Sequence, residues 1–271
     1  MTRAEWLRRA EQQLIEAGVD SPRLDAELLL AHSLGVSRAS LRIHLDDSIP
    51  EGVDGLLERR LLREPLSYIL GKKEFFGRDF AVGPGVLVPR PETEILVERA
   101  LKWLAGKPGA RILDVGTGSG CIAITLALEV PGSQVCAVDI SADALQAARS
   151  NGHALGANVE WLELDGFPPG GTFDLVVSNP PYIASAYDLA PEVGQYEPAL
   201  ALFGGEDGLD FYRRLATEAP HHLSPEGAMI LEIGFDQGET VPRILGDSGW
   251  VDCTVAHDLS GLPRVVQASR P

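Results

Sequence analysis

Apolar positions along this chain change their period twice. From Trp6 to about residue 72 they recur every three or four residues, the spacing of one face of a helix. Trp6, Leu7, Ala10, Leu14 and Ile15 form a first stripe, ended by Gly18. A second begins at Ser21-Pro22, an N-cap with proline at the first helical position, and runs through Leu24, Leu28, Leu29 and His32 to Gly35. Ser37 is placed to cap a short helix through Leu41 to Leu45. Pro50 opens a longer one whose stripe is Leu56, Leu57, Leu61 and Leu62, with Arg59, Arg60 and Arg63 outside and Pro65 as its stop. Residues 1–72 therefore read as a small all-α bundle.

Residues 73–88 change character: Phe75, Phe76, Gly77, Phe80, Val82 and Val86 predict a β-hairpin that links two units. From Pro89 onward short apolar runs alternate with helical patterns. Strands are predicted at Arg111–Val115, Val135–Asp139, Val159–Leu164, Phe173–Ser178, Met229–Ile233, Val251–His257 and Val265–Ala268. Helices are predicted at Glu92–Leu104, Cys121–Leu128, Ala142–Leu155, Leu209–Glu218 and Thr240–Leu245. This is the pattern of an α/β domain over residues 89–271, a mostly parallel sheet covered on both faces. No clear helix separates the last two strands, so the last strand is expected to be antiparallel.

Composition narrows the function classes. The charge of −16 is uneven: residues 1–75 hold 11 Lys/Arg against 13 Asp/Glu, and the rest 12 against 26. A strongly acidic half is a poor sleeve for phosphate backbones, so no nucleic-acid partner is expected; a basic protein or a small cationic ligand suits it better. No apolar run approaches the roughly 20 residues that span a bilayer, and Met1–Trp6 lacks the apolar core of a secretion signal. A cytoplasmic protein without a membrane partner is expected. Cys121, Cys136 and Cys253 lie far apart without metal-ligand spacing, so reduced thiols and no metal site are expected.

The chemistry sits at the carboxyl ends of the predicted strands, where open α/β sheets bind ligands. The first strand ends in Asp114-Val115-Gly116-Thr117-Gly118-Ser119-Gly120 and runs into a helix. Glycines let a ligand press on the main chain, and the helix start offers free N–H groups. The spacing is GxGxG rather than GxGxxG, which points away from a dinucleotide and toward S-adenosylmethionine. Asp139, ending the second strand, is placed to accept from ribose hydroxyls or to cap the following helix. Asp165, ending the third, is placed to accept from the adenine amino group, with Gly166 and Phe167 bordering the ring; Asp-Gly is equally a common turn pair. The fourth strand ends in Asn179-Pro180-Pro181-Tyr182. Neither proline donates an N–H and each fixes its φ. The result is a stiff ledge with an amide, free carbonyls and an aromatic ring, suited to a planar –NH2 group with two hydrogens to place.

These motifs resemble the class I methyltransferases, and more narrowly the HemK-type protein-glutamine methyltransferases that modify peptide chain release factors. The resemblance extends through Pro65–Gly71, Pro89-Arg90-Pro91-Glu92-Thr93-Glu94, Glu197-Pro198, Gly204-Gly205, Asp207-Gly208, Asp258-Leu259 and Arg264. It implies a Rossmann-like catalytic domain, a helical domain that helps grip a class I release factor, and S-adenosyl-L-methionine as methyl donor with S-adenosyl-L-homocysteine as product. It also implies that Asn179 and the Pro180 carbonyl receive the substrate amide. Many relatives carry a bulky residue where this chain has Gly166, so adenine packing is expected to rely on Ile140 or Phe167.

A carboxamide nitrogen is a poor nucleophile, so positioning is expected to dominate catalysis, with nitrogen about 3–3.5 Å from the methyl carbon. The Asn179 side-chain oxygen and the Pro180 carbonyl are assigned to the two amide hydrogens, and Tyr182 to packing against the amide or the methionine portion. The acidic segment 183–209 is read as a lid or a solvated loop, and Arg90 as a partner for the cofactor carboxylate or for carboxylates of that segment. Two rivals are an adenine-N6 methyltransferase, whose substrate presents the same two hydrogens, and a non-catalytic cofactor-sensing protein. The acidic domain argues against the first and the intact ledge against the second.

Overall fold

The computed structural model describes residues 1–270, the side chain of Arg42 excepted, and divides into two compact units. One comprises residues 1–72 together with 189–196; the other comprises 73–188 and 197–271.

The first unit is helical: α1 (Arg3–Glu16), α2 (Pro22–Leu34), α3 (Val53–Leu61) and α4 (Leu66–Leu70). A capping box starts α1, with Glu5 N–H donating to Thr2 Oγ1 (3.2 Å) and Thr2 N–H to Glu5 Oε2 (2.7 Å). Trp6, Ala10 and Leu14, four residues apart, are its buried stripe, whereas Ile15 and Leu62, predicted to be apolar contacts, face solvent. Four other predictions change. Helix α3 starts at Val53 behind Gly52, whose φ of 83° no proline adopts, rather than at Pro50. Residues 38–43 form a single 3-10 helix, capped by Ser37 as predicted. Pro65 does not simply stop a helix, because the chain enters α4 immediately after it. Arg60, predicted to lie outside, is buried because Asp25, 35 residues earlier, meets its Nε at 2.7 Å. Arg63 forks over Glu192 with both bonds at 2.6 Å, and Arg60 adds a third at 3.2 Å. The four-residue helix α8 (Pro191–Gly194) is thereby fixed in this unit, with Tyr196 donating to the Leu62 carbonyl (2.7 Å).

The second unit opens with a hairpin, β1 (Lys72–Phe75) and β2 (Arg78–Ala81). Its turn residues Phe76 and Gly77 both have positive φ, 51° and 74°, as a two-residue primed turn requires. A seven-stranded sheet follows: β3 (Arg111–Val115), β4 (Gln134–Asp139), β5 (Val159–Glu163), β6 (Phe173–Ser178), β7 (Leu223–Glu232), β8 (Val251–His257) and β9 (Pro263–Ser269). Their order is β5-β4-β3-β6-β7-β9-β8, parallel from β5 to β7 and antiparallel for the last two pairings. Strands alternate apolar residues between two faces. Ile112, Ala137, Leu175 and Val177 meet α5 (Thr93–Leu104) and α6 (Cys121–Glu129), in a layer completed by α7 (Ala142–Leu155). Leu113, Val138, Val176 and Leu231 meet α9 (Asp210–Glu218) and α10 (Thr240–Asp247).

The topology decides where a ligand can sit. The chain leaves β3 for β4 and β5, then returns to lay β6 against the other side of β3, so the crossovers part between β3 and β6. The Ser178 hydroxyl donates to the Val115 carbonyl (2.6 Å) and locks these two carboxyl ends side by side. No helix among the described residues is long and apolar enough to cross a membrane.

Candidate active site

A cavity of about 270 Å³ opens over the carboxyl ends of β5, β4, β3 and β6. It is lined by Gly116, Thr117, Gly118 and Ser119 after β3, Asp139 and Ile140 after β4, Asp165 and Gly166 after β5, and Asn179, Pro180 and Pro181 after β6. The predicted site residues are thus brought together, with two exceptions. Gly120 and Tyr182 do not line the cavity.

The glycine turn is shaped from beneath. Gly116, Gly118 and Gly120 have φ of 73°, 56° and 82°, where a β-carbon is strained. Gly120 caps α6, and a β-carbon there would lie 2.9 Å from Ile124, 3.1 Å from Ala148 and 3.1 Å from Trp161. That close packing requires a glycine here. Asp114, wholly buried, accepts at Oδ2 from the Thr117 hydroxyl (2.6 Å) and from Ala123 N–H (3.2 Å), while its Oδ1 meets no donor. Burial pushes its carboxyl up to about 7, against the lowering effect of those two bonds. Asn151 of α7, also buried, donates from Nδ2 to the carbonyls of Ser119 (2.9 Å) and Ala81 (3.1 Å) and accepts from Ala81 N–H (2.8 Å). Asp139 braces the same turn, accepting from Gly118 N–H (2.8 Å) at Oδ2 and from Ser141 N–H (2.9 Å) at Oδ1. The helix cap itself falls to Ser141, whose side chain accepts from Ala144 N–H.

The ledge is held as firmly. A β-carbon on Gly204 would collide with the Pro181 carbonyl oxygen, and one on Gly208 with that of Tyr182, so only glycine lets this strap lie on the main chain of the ledge. Reciprocal bonds of 2.9 Å join Ile183 N–H to the Leu202 carbonyl and Gly204 N–H to the Ile183 carbonyl. Segment 183–209 is therefore tied down rather than free: Glu197 is buried, accepting from Arg90 Nη2 (2.6 Å) and Val88 N–H (3.2 Å). Arg90, which lines the cavity, thus takes a carboxylate of this segment as its partner.

Behind the ledge, Asn179 Nδ2 donates to Thr93 Oγ1 (3.2 Å) and the Thr93 hydroxyl donates to Glu232 Oε2 (2.6 Å). Glu232 is fully enclosed, and burial pushes its carboxyl up to about 7. The Tyr182 ring packs on the core beneath the sheet edge, with its hydroxyl 3.4 Å from Glu232 Oε1, not against the cavity as predicted.

Comparison with known proteins places the chain. It is 46% identical over 261 residues to the release factor glutamine methyltransferase of Geobacter sulfurreducens, covering 93% of this chain and 91% of that one. It is 44% identical over 280 residues to the enzyme of the same name from Koribacter versatilis, covering 100% and 99%. The chain belongs to the release factor glutamine methyltransferases. In keeping with that family, residues 5–71 match the profile described as PrmC N-terminal domain and residues 92–195 that described as methyltransferase small domain. The sheet is similar to those of solved methyltransferases. One from Pyrococcus furiosus is 22% identical with TM-score 0.56 over 73% of this chain and 91% of that one. Another is a 16S rRNA N2 G1207 methyltransferase of T. thermophilus, 18% identical with TM-score 0.55 over 74% and 50%. These likenesses speak for the fold.

Arg214 forms the wall beside Gly166. The Arg214 guanidinium lies 2.5 Å from where a β-carbon of Gly166 would be, and it donates to Asp165 Oδ1 (2.5 Å) and the Asp165 carbonyl (3.0 Å). Ile140 lines the cavity, whereas Phe167 stacks on His222 with centroids 4.8 Å apart and takes no part in it. Four supporting residues escaped the sequence reading: Asp114, Asn151, Arg214 and Glu232. Only Asp114, beside the glycines, carries a local signal; the others are recognised by what the fold brings to them.

Proposed function

We propose that this protein transfers a methyl group from S-adenosyl-L-methionine to the side-chain amide nitrogen, N5, of the glutamine in the Gly-Gly-Gln loop of class I peptide chain release factors. The observation that carries this reading is one amide beside one glycine turn. Asn179 has its nitrogen engaged by Thr93, while its Oδ1 and the Pro180 carbonyl accept from no protein donor among the described residues. Two free oxygens on residues that line the cavity match the two hydrogens of a primary carboxamide.

The lining also fits the cofactor. Gly116 and Gly118 bring main chain to the cavity without β-carbons, and nothing of the protein stands within 4 Å of where these would project. Asp139 keeps lone pairs for ribose hydroxyls, since each oxygen accepts a single main-chain N–H. Asp165 with Arg214 and the apolar Ile140 stand where the adenine would be bordered. When bound, S-adenosylmethionine supplies an electrophilic methyl group on a sulfonium that leaves as a neutral thioether.

The rest is positioning. Asn179 Oδ1 and the Pro180 carbonyl orient the glutamine amide and favour the positive charge that builds on its nitrogen. Prolines 180 and 181 keep that geometry stiff, and the Gly204–Gly208 strap holds it from behind. The helical unit, residues 1–72, is assigned to gripping the release factor. Tyr182, expected from the sequence to face the substrate, is reassigned to supporting the ledge through Glu232.

Incubation with methyl-labelled cofactor and, separately, a class I release factor, DNA or RNA tests this reading. Label is expected in the release factor alone. Label in nucleic acid with none in the release factor would replace it with the adenine-N6 activity.

A further inference from the structure

Among the described residues Glu232 is the one fully enclosed carboxylate that reaches the ledge through another side chain, and methyl transfer as set out gives it no role beyond its contact with Tyr182. It ends β7, with Oε2 2.6 Å from the Thr93 hydroxyl and its own carbonyl accepting from the Tyr212 hydroxyl (2.8 Å). Thr93, in the first turn of α5, lines the cavity and stands 3.2 Å from Asn179 Nδ2.

We propose that Glu232 and Thr93 are positioning residues that fix which end of the Asn179 amide faces the substrate, and so create the acceptor the reaction needs. An ionised carboxylate has only lone pairs, so the Thr93 proton must point at Glu232. The Thr93 oxygen is then presented to Asn179 as an acceptor only. Of the two ends of the Asn179 amide, just the –NH2 satisfies it. Oδ1 is consequently turned to the other side, as the acceptor for a substrate N–H. A neutral Glu232 removes this order: it can donate to Thr93, Thr93 can donate to Asn179 Oδ1, and a flipped Asn179 then points two N–H groups at the substrate's own –NH2. Donor against donor repels the amide.

The surroundings set where that reversal occurs. The Glu232 carboxyl stands at about 7: burial, and then Glu92 at the start of α5, raise it, while the Thr93 and Tyr182 hydroxyls and Arg264 of β9 lower it. Cys121 of α6 and Tyr212 of α9 also face this carboxylate; burial pushes the thiol up to about 12 and the phenol well above its ordinary value, so both stay neutral. Ionised above about 7, Glu232 holds the productive direction; protonated below it, the direction is lost. Activity should therefore fall with acid through Glu232.

This inference rests on the methyl transfer proposed above, and three variants separate the two. Thr93→Val keeps the shape and removes the link. Thr93→Ser restores the hydroxyl. Glu232→Gln cannot titrate and, like the protonated acid, sets a donor as well as an acceptor beside Thr93. Release-factor methylation is measured from about pH 6 to about pH 8.5, with cofactor affinity by calorimetry at each pH, because Asp114 near the cofactor also titrates in this range. Thr93→Val should lose about 10- to 100-fold in kcat, with cofactor affinity unchanged, and Thr93→Ser should recover most of it. Glu232→Gln should fall at the alkaline end to about the level the wild type shows in acid, and lose the part of the acid limb that cofactor affinity does not explain. Wild-type kcat in Thr93→Val, or an unaltered acid limb in Glu232→Gln, overturns the inference. Should Thr93→Val fail to fold, the pH profile of Glu232→Gln alone decides. A wild-type protein that methylates no release factor instead refutes the parent reading.

Discussion

Replacing Asp114 by asparagine should change the sign of its effect on stability between acid and alkaline pH. The folded Asp114 carboxyl sits at about 7 against an ordinary 3.8, chiefly because it is wholly buried. A rise of about three units corresponds to about 4 kcal/mol between the neutral and ionised folded forms. Because the folded value is the higher one, the folded chain holds this proton more tightly. The group's contribution is full below 3.8 and is lost as pH rises to about 7, above which the ionised form burdens the fold. The amide introduced by Asp114→Asn cannot ionise. Its oxygen can keep the bonds from Thr117 and Ala123, while its –NH2 falls where Oδ1 meets no donor and has no acceptor to meet. That unpaired group costs about 1–3 kcal/mol at every pH. At about pH 3.5, where little of the wild-type contribution has been lost, the variant should therefore be the less stable protein by that amount. At about pH 8 it should be the more stable by about 1–3 kcal/mol. Differential scanning calorimetry of both proteins across this range reads the difference directly, since other groups cancel; each kcal/mol moves Tm by about 2–4 °C in a chain of this size. A difference in Tm that does not vary with pH would refute the reasoning.

Gly120→Ala should destabilise by about 2–5 kcal/mol, from its left-handed φ and the collisions with Ile124, Ala148 and Trp161; an unchanged melting temperature would contradict that packing role. Asn151→Leu should cost about 2–4 kcal/mol by orphaning the Ser119 and Ala81 groups, checked by urea titration, where an unaltered midpoint counts against it. Asp139→Ala should weaken cofactor binding about 10- to 100-fold, because the bond to Gly118 N–H goes together with the ribose contacts proposed for it; calorimetry that finds wild-type affinity would remove Asp139 from the site.

What the sequence made legible was what repeats locally. Strands from Arg111 to Ser178 are short apolar runs ending in Gly, Asp or Asn-Pro-Pro, and the structure ends them within a residue of the predicted positions. Strand β7 was read short, from Met229 rather than Leu223, because Ser224, Pro225, Glu226 and Gly227 resemble a turn yet lie at the start of the ladder. Non-local features were invisible. Arg60 looks like an exposed arginine until Asp25 is brought to it, and residues 189–196 look like a solvated acidic loop until Arg60 and Arg63 close on Glu192. Gly120 reads as part of a ligand loop because its reason for being glycine, Trp161, lies on another strand. Glu232 gave no signal at all in an apolar strand, where a lone acid looks like an edge residue. Its meaning comes from Thr93 and Asn179, which the sequence holds 139 and 53 positions away.

The most direct measurement is mass spectrometry of the Gly-Gly-Gln peptide from a class I release factor incubated with S-adenosylmethionine and either the protein or its Asn179→Ala variant. The wild type should add a single methyl to the glutamine side chain. The variant should add none, while binding the cofactor within about threefold of wild type. An unmodified glutamine with the wild-type protein, or equal methylation by the variant, would contradict the account.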